Sequence, residues 1–358
     1  MPVNDHLTGT PPDSAAALSV RGLTKRYGAF TAVDAIDLDV ARGEVFGFLG
    51  PNGSGKTTTI RMLTGTIRPQ AGQALVLGED VLAHPDRVKR RIGYMSQRFA
   101  LFEDMTVAEN LRFYAGVYNL TAEQFEAARE YVLTMADLHG REDELTANLS
   151  VGWRQRLALG AATIHQPELL FLDEPTSGVD PVARGHFWDL LYDLGNRGVT
   201  LFVTTHYMDE ASHCTQLAFI HDGHLIAAGS PTQLRRTRLT ERIHDIATGT
   251  ADHVQRWLEK ADGVHEAYRS GTSVHAAVSA EVPAETLRTR LLDAGFSDVV
   301  VTEIAPTLED VFVNLVAQQN PPGRADDVAA FRRWPRADSA RDTSTALTRQ
   351  APRRSVRP

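Results

Sequence analysis

Cysteine is almost missing from this chain: Cys214 is the single one in 358 residues. That excludes an intrachain disulfide and fits a reducing compartment. Long apolar runs are missing too, and no stretch approaches the roughly 18 apolar residues of a membrane-spanning helix. The opening residues, Met1-Pro-Val-Asn-Asp-His, carry an acid and no apolar core, unlike a secretory signal. An excess of positive charge is also lacking. The formal net charge is -8, which argues against a broad nucleic-acid surface. No internal repeat is visible.

What is present is a phosphate-binding loop. Gly50, Pro51, Asn52, Gly53, Ser54, Gly55, Lys56, Thr57 and Thr58 satisfy G-x-x-x-x-G-K-[ST]. The apolar run Val45–Leu49 before them reads as a buried strand, and Thr58–Thr64 after them as a helix, the context this motif requires. Glycines let successive backbone N–H groups surround phosphate oxygens, and the helix N-terminus adds partial positive charge. Lys56 reaches toward the β- and γ-phosphates, and the Thr57 hydroxyl suits Mg²⁺.

Around the loop, from residue 17 to 237, strands alternate with helices, which predicts an α/β domain with a parallel sheet. The expected strands are Leu18–Val20, Ile36–Val40, Val45–Leu49, Ala74–Leu77, Ile92–Met95, Leu169–Leu172, Leu201–Thr204 and Leu217–His221. A helical insert is expected over about 104–165, as Val107–Tyr118, Glu123–Met135 and Val151–His165. Thr121-Ala-Glu-Gln124 is a capping box at the start of the second of these. Residues 241–316 read as β-α-β-β-α-β, the order of a small ferredoxin-like α+β domain. Residues 1–16 read as a flexible leader. Residues 319–358 read as a disordered basic tail, with nine arginines against four aspartates and little apolar periodicity.

A second run narrows the chemistry. Leu169-Leu-Phe-Leu-Asp173-Glu174-Pro175 is an apolar strand ending in two carboxylates. Asp173 at the strand tip suits Mg²⁺, and Glu174 can polarise a water aimed at a γ-phosphate. Ser150, in Leu149-Ser150-Val-Gly152-Trp153-Arg-Gln-Arg156, is a good N-cap. With the Gly152 N–H it makes a second anion site, best used by the nucleotide of another subunit.

Together these motifs resemble the ATP-binding subunit of an ABC transporter, over roughly Leu18 to Leu234. The resemblance implies a P-loop NTPase fold and ATP with Mg²⁺ as ligands. It implies that Tyr27 stacks on adenine, that Gln97 touches Mg²⁺ and the attacking water, and that Asp173 serves the metal with Thr57. Glu174 is then the catalytic base, His206 contacts the γ-phosphate, and Asp180 communicates across a dimer. Lys56 acts on the transferring phosphate, and Ser150 and Gly152 belong to the family signature. Val151 and Trp153 depart from the usual Leu-Ser-Gly-Gly-Gln, which puts the sugar-side contacts and the turnover rate in question.

The implied partners are a second ATP-binding subunit, most simply an identical copy, and an integral-membrane permease on a separate polypeptide, with no nucleic acid. The implied location is the cytoplasmic face of the membrane. Phe99, Leu101, Phe102 and Met105 are either an apolar groove for a permease helix or core under the helical insert. Pro306-Thr-Leu-Glu309-Asp310-Val-Phe312 resembles the terminal motif of drug and antibiotic exporters of the daunorubicin-resistance type. As residues alone, Leu308, Val311, Phe312 and Leu315 make one apolar helix face. The competing readings are a soluble ABC ATPase of translation or DNA repair, and an importer ATPase. A single cassette without sustained heptads disfavours the first.

Overall fold

The computed structural model describes residues 16–98, 100–237 and 241–319. Residues 1–15 of the expected leader, 320–358 of the basic tail, and Phe99 lie outside them; Ala16 opens the first strand and Gln319 closes the last helix.

The chain begins with a long hairpin, β1 (Ala16–Tyr27) and β2 (Phe30–Ala41), then β3 (Val45–Leu49), α1 (Lys56–Leu63), β4 (Ala71–Val76), β5 (Glu79–Asp80), α2 (Pro85–Lys89) and β6 (Ile92–Met95). Helices α3 (Val107–Val117), α4 (Ala122–Met135) and α5 (Val151–Thr163) follow. The chain then alternates through β7 (Leu169–Asp173), α6 (Pro181–Asn196), β8 (Thr200–Thr205), β9 (Gln216–His221), β10 (His224–Gly229) and α7 (Pro231–Thr237).

These strands make two sheets, not one. The six-stranded sheet runs β10-β9-β3-β8-β7-β6 and is parallel except for β10, which pairs antiparallel with β9. Every residue of β3, β7 and β8 is buried, as expected of near-continuous apolar strands covered on both faces. The second sheet, β2-β1-β4-β5, is antiparallel throughout. This corrects the expectation of a single parallel sheet. β2 alternates buried and exposed residues along most of its length, the pattern of a sheet with one solvated face.

Helices α3, α4 and α5 form their own core around Leu111, Val132, Leu133 and Leu157. Both α3 and α4 begin with capping boxes, Thr106 with Glu109 and Thr121 with Gln124.

The remaining elements are β11 (Arg242–Ala247), α8 (Ala251–Leu258), β12 (Val264–Ser270), β13 (Ser273–Val278), α9 (Ala284–Asp293), β14 (Val300–Ile304) and α10 (Leu308–Gln319). Their sheet order is β12-β13-β11-β14, all antiparallel. This is the ferredoxin-like arrangement, with Ile246, Val254, Val274 and Leu287 in its core. α10 does not stay with this unit alone. Its apolar face joins the cluster that holds Leu49, Leu172, Val203 and Phe219 of the six-stranded sheet. The Phe312 and Phe219 rings meet edge to face at 5.3 Å. Asp310 ties the other side of α10 to the small sheet, accepting from Tyr268 Oη at 2.5 Å and lying 2.8 Å from His275 Nδ1.

Candidate active site

The strand order explains why distant residues meet. β8 lies between β3 and β7, and β6 lies beyond β7. The loops after β3, β6, β7 and β8 therefore open at one end of the sheet, outside the carboxyl ends of parallel strands, where α/β sheets bind ligands. Those four loops carry Lys56, Gln97, Glu174 and His206.

The phosphate loop is shaped by sterics. A Cβ on Gly50 would lie 2.2 Å from Ile220 O and 2.6 Å from Ser54 Oγ. Gly55 has φ 111, a conformation open to glycine, and a Cβ there would lie 2.5 Å from Ala32 O. Ser54 Oγ is buried without a hydrogen-bond partner among the described residues, an orphaned donor inside a loop suited to an oxyanion. Lys56 Nζ is held by Gly50 O at 2.8 Å and Pro51 O at 3.0 Å.

Glu174 is the hub. Its Oε1 lies 3.0 Å from Lys56 Nζ. Its Oε2 accepts from Gln97 Nε2 at 2.9 Å and lies 3.1 Å from His206 Nδ1. Its backbone is left-handed, φ 48, a strain of about 1–3 kcal/mol of the kind that gathers at functional sites. Thr204 holds that turn in place, with its Oγ1 accepting from Glu174 N at 3.0 Å and donating to Asp173 Oδ1 at 2.8 Å. Sequence reading missed Thr204; its signal was a threonine at a strand end beside His206.

Burial alone would raise the Glu174 carboxyl. The His206 hydrogen bond and the Lys56 charge outweigh it and hold the group at about 2. Asp173 moves the other way: burial raises it against hydrogen bonds from Thr204 and Thr57. Burial lowers Lys56, against the pull of Glu174.

The donors suit Mg²⁺. Thr57 Oγ1 donates to Asp173 Oδ1 at 3.2 Å, so a hydroxyl and one carboxylate share a point beside the loop. Among the described residues no group of three or more His, Cys, Asp or Glu forms a metal site by itself. Mg²⁺ commonly takes one or two protein oxygens and completes its shell with water and phosphate, which these residues can accommodate.

The other expected site residues lie elsewhere. Tyr27 ends β1, half exposed, with Lys25 Nζ 5.2 Å from its ring centre. Ser150 caps α5, accepting from Trp153 N at 3.4 Å, and hydrogen-bonds no residue of the phosphate loop among the described residues. A Cβ on Gly152 would lie 3.5 Å from Ala183 Cβ, which places the start of α5 against the start of α6. Asp180 caps α6 there, accepting from Val182 N at 3.1 Å and Ala183 N at 3.0 Å. Ser150, Gly152 and Asp180 thus lie where the starts of α5 and α6 meet. Trp153 lies between two arginines, 4.4 Å from Arg141 and 5.1 Å from Arg156. Cys214 is buried, and burial pushes its thiol up.

Known proteins are similar to this chain. The ABC transporter family profile matches residues 33–177. The chain is 44% identical over 230 residues to the Escherichia coli protein named "Probable multidrug ABC transporter ATP-binding protein YbhF", a match covering 63% of this chain and 39% of that protein. It therefore spans about two fifths of that relative's length. It is 35% identical over 318 residues to the Daunorubicin resistance ATP-binding protein DrrA2 of Streptomyces coeruleorubidus, covering 87% of this chain and 99% of the relative. Among solved structures it resembles cbiO1 of Clostridium perfringens, part of the ABC transporter complex cbiONQ. The TM-score is 0.58 and the identity 26%, covering 62% of this chain and 90% of that one. With its phosphate loop, paired carboxylates and signature turn in this order on this sheet, and a relative matched along nearly its whole length, the chain belongs to the ATP-binding proteins of the ABC transporter family.

Proposed function

We propose that this chain is the ATP-hydrolysing subunit of an ABC exporter for a drug-like or hydrophobic compound, acting with Mg²⁺. The observation that carries this reading is the convergence of Lys56, Gln97 and His206, from three different loops, on the single carboxylate of Glu174.

The geometry suggests how the residues act. Lys56 and the loop N–H groups bind the β- and γ-phosphates; Thr57 and Asp173 would hold Mg²⁺, which would offset phosphate charge. Tyr27 offers a ring to the base. A γ-phosphate drawn to Lys56 competes with Glu174 for the same ammonium. Losing that partner raises the basicity of Glu174, which then takes a proton from the attacking water that Gln97 and His206 orient. Transfer to water needs positioning and charge stabilisation more than covalent help.

A second copy supplies Ser150 and Gly152 to the same ATP. This is supported by Ser150 hydrogen-bonding no phosphate-loop residue among the described residues and by Gly152 lying beside the α6 turn that Asp180 caps. Closing the pair gives ATP a strong preference for one state, as a switch requires. No described helix is long and apolar enough to cross a membrane; the reading assigns the translocation path to a separate permease, which this subunit joins at the cytoplasmic face. The reading seats a permease helix near Phe102 and Met105. Phe102 packs against Phe113 at 4.6 Å, both partly exposed, beside a groove of about 750 Å³ lined by Met105, Arg112, Phe113 and Val117. Leu101 is turned partly into the core.

Export rests on the names of the multidrug and daunorubicin-resistance relatives. Purification of the Glu174→Gln chain from its own host, in gentle detergent with ATP, tests the reading. A co-purifying polytopic membrane protein supports it. Recovery only in the soluble fraction with ribosomal or DNA-repair proteins overturns it.

A further inference from the structure

Behind the site lies a buried acid–base pair that the chemistry above does not use. Glu210, in the short turn Glu210–His213 after β8, is 1% exposed, and Arg184, on the first turns of α6, is 8% exposed. Glu210 Oε1 accepts from Thr176 Oγ1 at 2.5 Å and lies 3.6 Å from Arg184 Nε. Arg184 also donates to Asp209 Oδ2 at 3.2 Å and to Val179 O at 3.5 Å, and its guanidinium lies 4.1 Å from the centre of the Tyr207 ring. Arg184 therefore contacts Tyr207 and Asp209, directly after His206, and also Val179, just before Asp180. Glu210 holds Thr176, between Glu174 and Asp180.

We infer that Glu210 and Arg184 are positioning residues that latch the His206 turn to the loop carrying Glu174 and Asp180. Thr204 already ties the two loops at their strand ends, and the Glu210–Arg184 pair joins them further along, between Tyr207–Glu210 and Thr176–Val179. A buried carboxylate and guanidinium do so rigidly, because separating either from its partners leaves an uncompensated buried charge. The latch also reaches the surface. Asp180 caps α6, and Arg184 N donates to Asp180 O at 2.9 Å. A push on Asp180 carries Arg184 with it, and Tyr207 and Asp209 pass the movement to His206. The residue that faces a second copy is thereby joined mechanically to the residue beside the catalytic base.

This inference rests on the proposed ATPase reading, and the test separates the two. ATP binding and steady-state hydrolysis are measured for the full chain and for Thr176→Ser, Thr176→Val, Arg184→Met and Glu210→Gln. Thr176→Ser keeps the hydroxyl and retains wild-type kcat. The other three lower kcat by about tenfold or more, equivalent to at least ~1.4 kcal/mol on the barrier. Their ATP affinity stays near wild type, because the phosphate loop is untouched. A merely structural pair would reduce binding and turnover together. Unchanged kcat in all three, or binding lost in step with kcat, overturns the latch and leaves the ATPase reading standing. A wild-type chain that binds no ATP overturns both.

Discussion

Lys56 Nζ and Glu174 Oε1 stand 3.0 Å apart, each on a side chain less than a tenth exposed. The residue that binds phosphate and the residue that activates water are thus each other's counter-ions. Glu174→Gln is expected to retain ATP binding, lower hydrolysis by about 10²–10⁴-fold and accumulate an ATP-bound dimer. Lys56→Ala is expected to lose nucleotide affinity. Nucleotide titration with phosphate-release kinetics separates the two, and an active Glu174→Gln chain would remove Glu174 as the base.

Gly50 gives a steric prediction. Its Cβ position lies 2.2 Å from a backbone oxygen, and that oxygen belongs to the central sheet. Gly50→Ala is expected to cost about 1–3 kcal/mol, the usual range for overpacking, and to open the loop enough to weaken ATP binding. Thermal unfolding and nucleotide titration both report on it; wild-type values in both would show that the loop has slack.

Phe312 tests where α10 belongs. It is 1% exposed and packs on Phe219 of β9. Phe312→Ala is expected to destabilise the chain by about 3–5 kcal/mol. Hydrogen exchange should show the loss in β3 and β9 as well as in the small sheet. An effect confined to residues 241–304 would contradict the shared core.

His275 gives a pH dependence. Burial lowers it, but the hydrogen bond and charge of Asp310, with Asp245 nearby, raise it overall above its ordinary 6.5. Asp310 is held below 3.8 by His275 and Thr307, against burial. The raised histidine contributes stability fully below about pH 6.5 and loses it as pH climbs through the folded value; the depressed acid contributes above its ordinary value and fails in acid. The melting temperature of the wild type should therefore fall more steeply above about pH 6.5 than that of His275→Gln. Parallel curves would show that the pair does not titrate there.

The site was legible in the sequence wherever its meaning was local. Gly50–Thr58 and Asp173–Glu174 each announce themselves within one strand and one turn, and the apolar face of α10 is visible in its spacing. What was hidden is pairing. Nothing in Leu18–Val20 or Ile36–Val40 says that they belong to a separate antiparallel sheet, because the direction of the partner strand is not written in either strand. β10 was missed although Asp222-Gly223, with φ 45 and 80, is a strong hairpin signal. The Arg184–Glu210 pair joins residues separated by a helix and a strand and looks, in sequence, like surface charge. The apolar face of α10 was foreseen, but not that its Phe312 would lie against Phe219 of the six-stranded sheet.

That docking has a consequence for how the chain is made. Synthesis runs from the N-terminus, so β3, β7, β8 and β9 leave the ribosome before Leu308–Gln319 exist. Until α10 arrives, Phe219 of β9 lacks the Phe312 ring that packs on it, and uncovered apolar surface on a partly folded chain invites aggregation. A premature stop before Leu308 therefore removes more than an appendage: it leaves the ATP-binding sheet with an open side that some other apolar surface will cover.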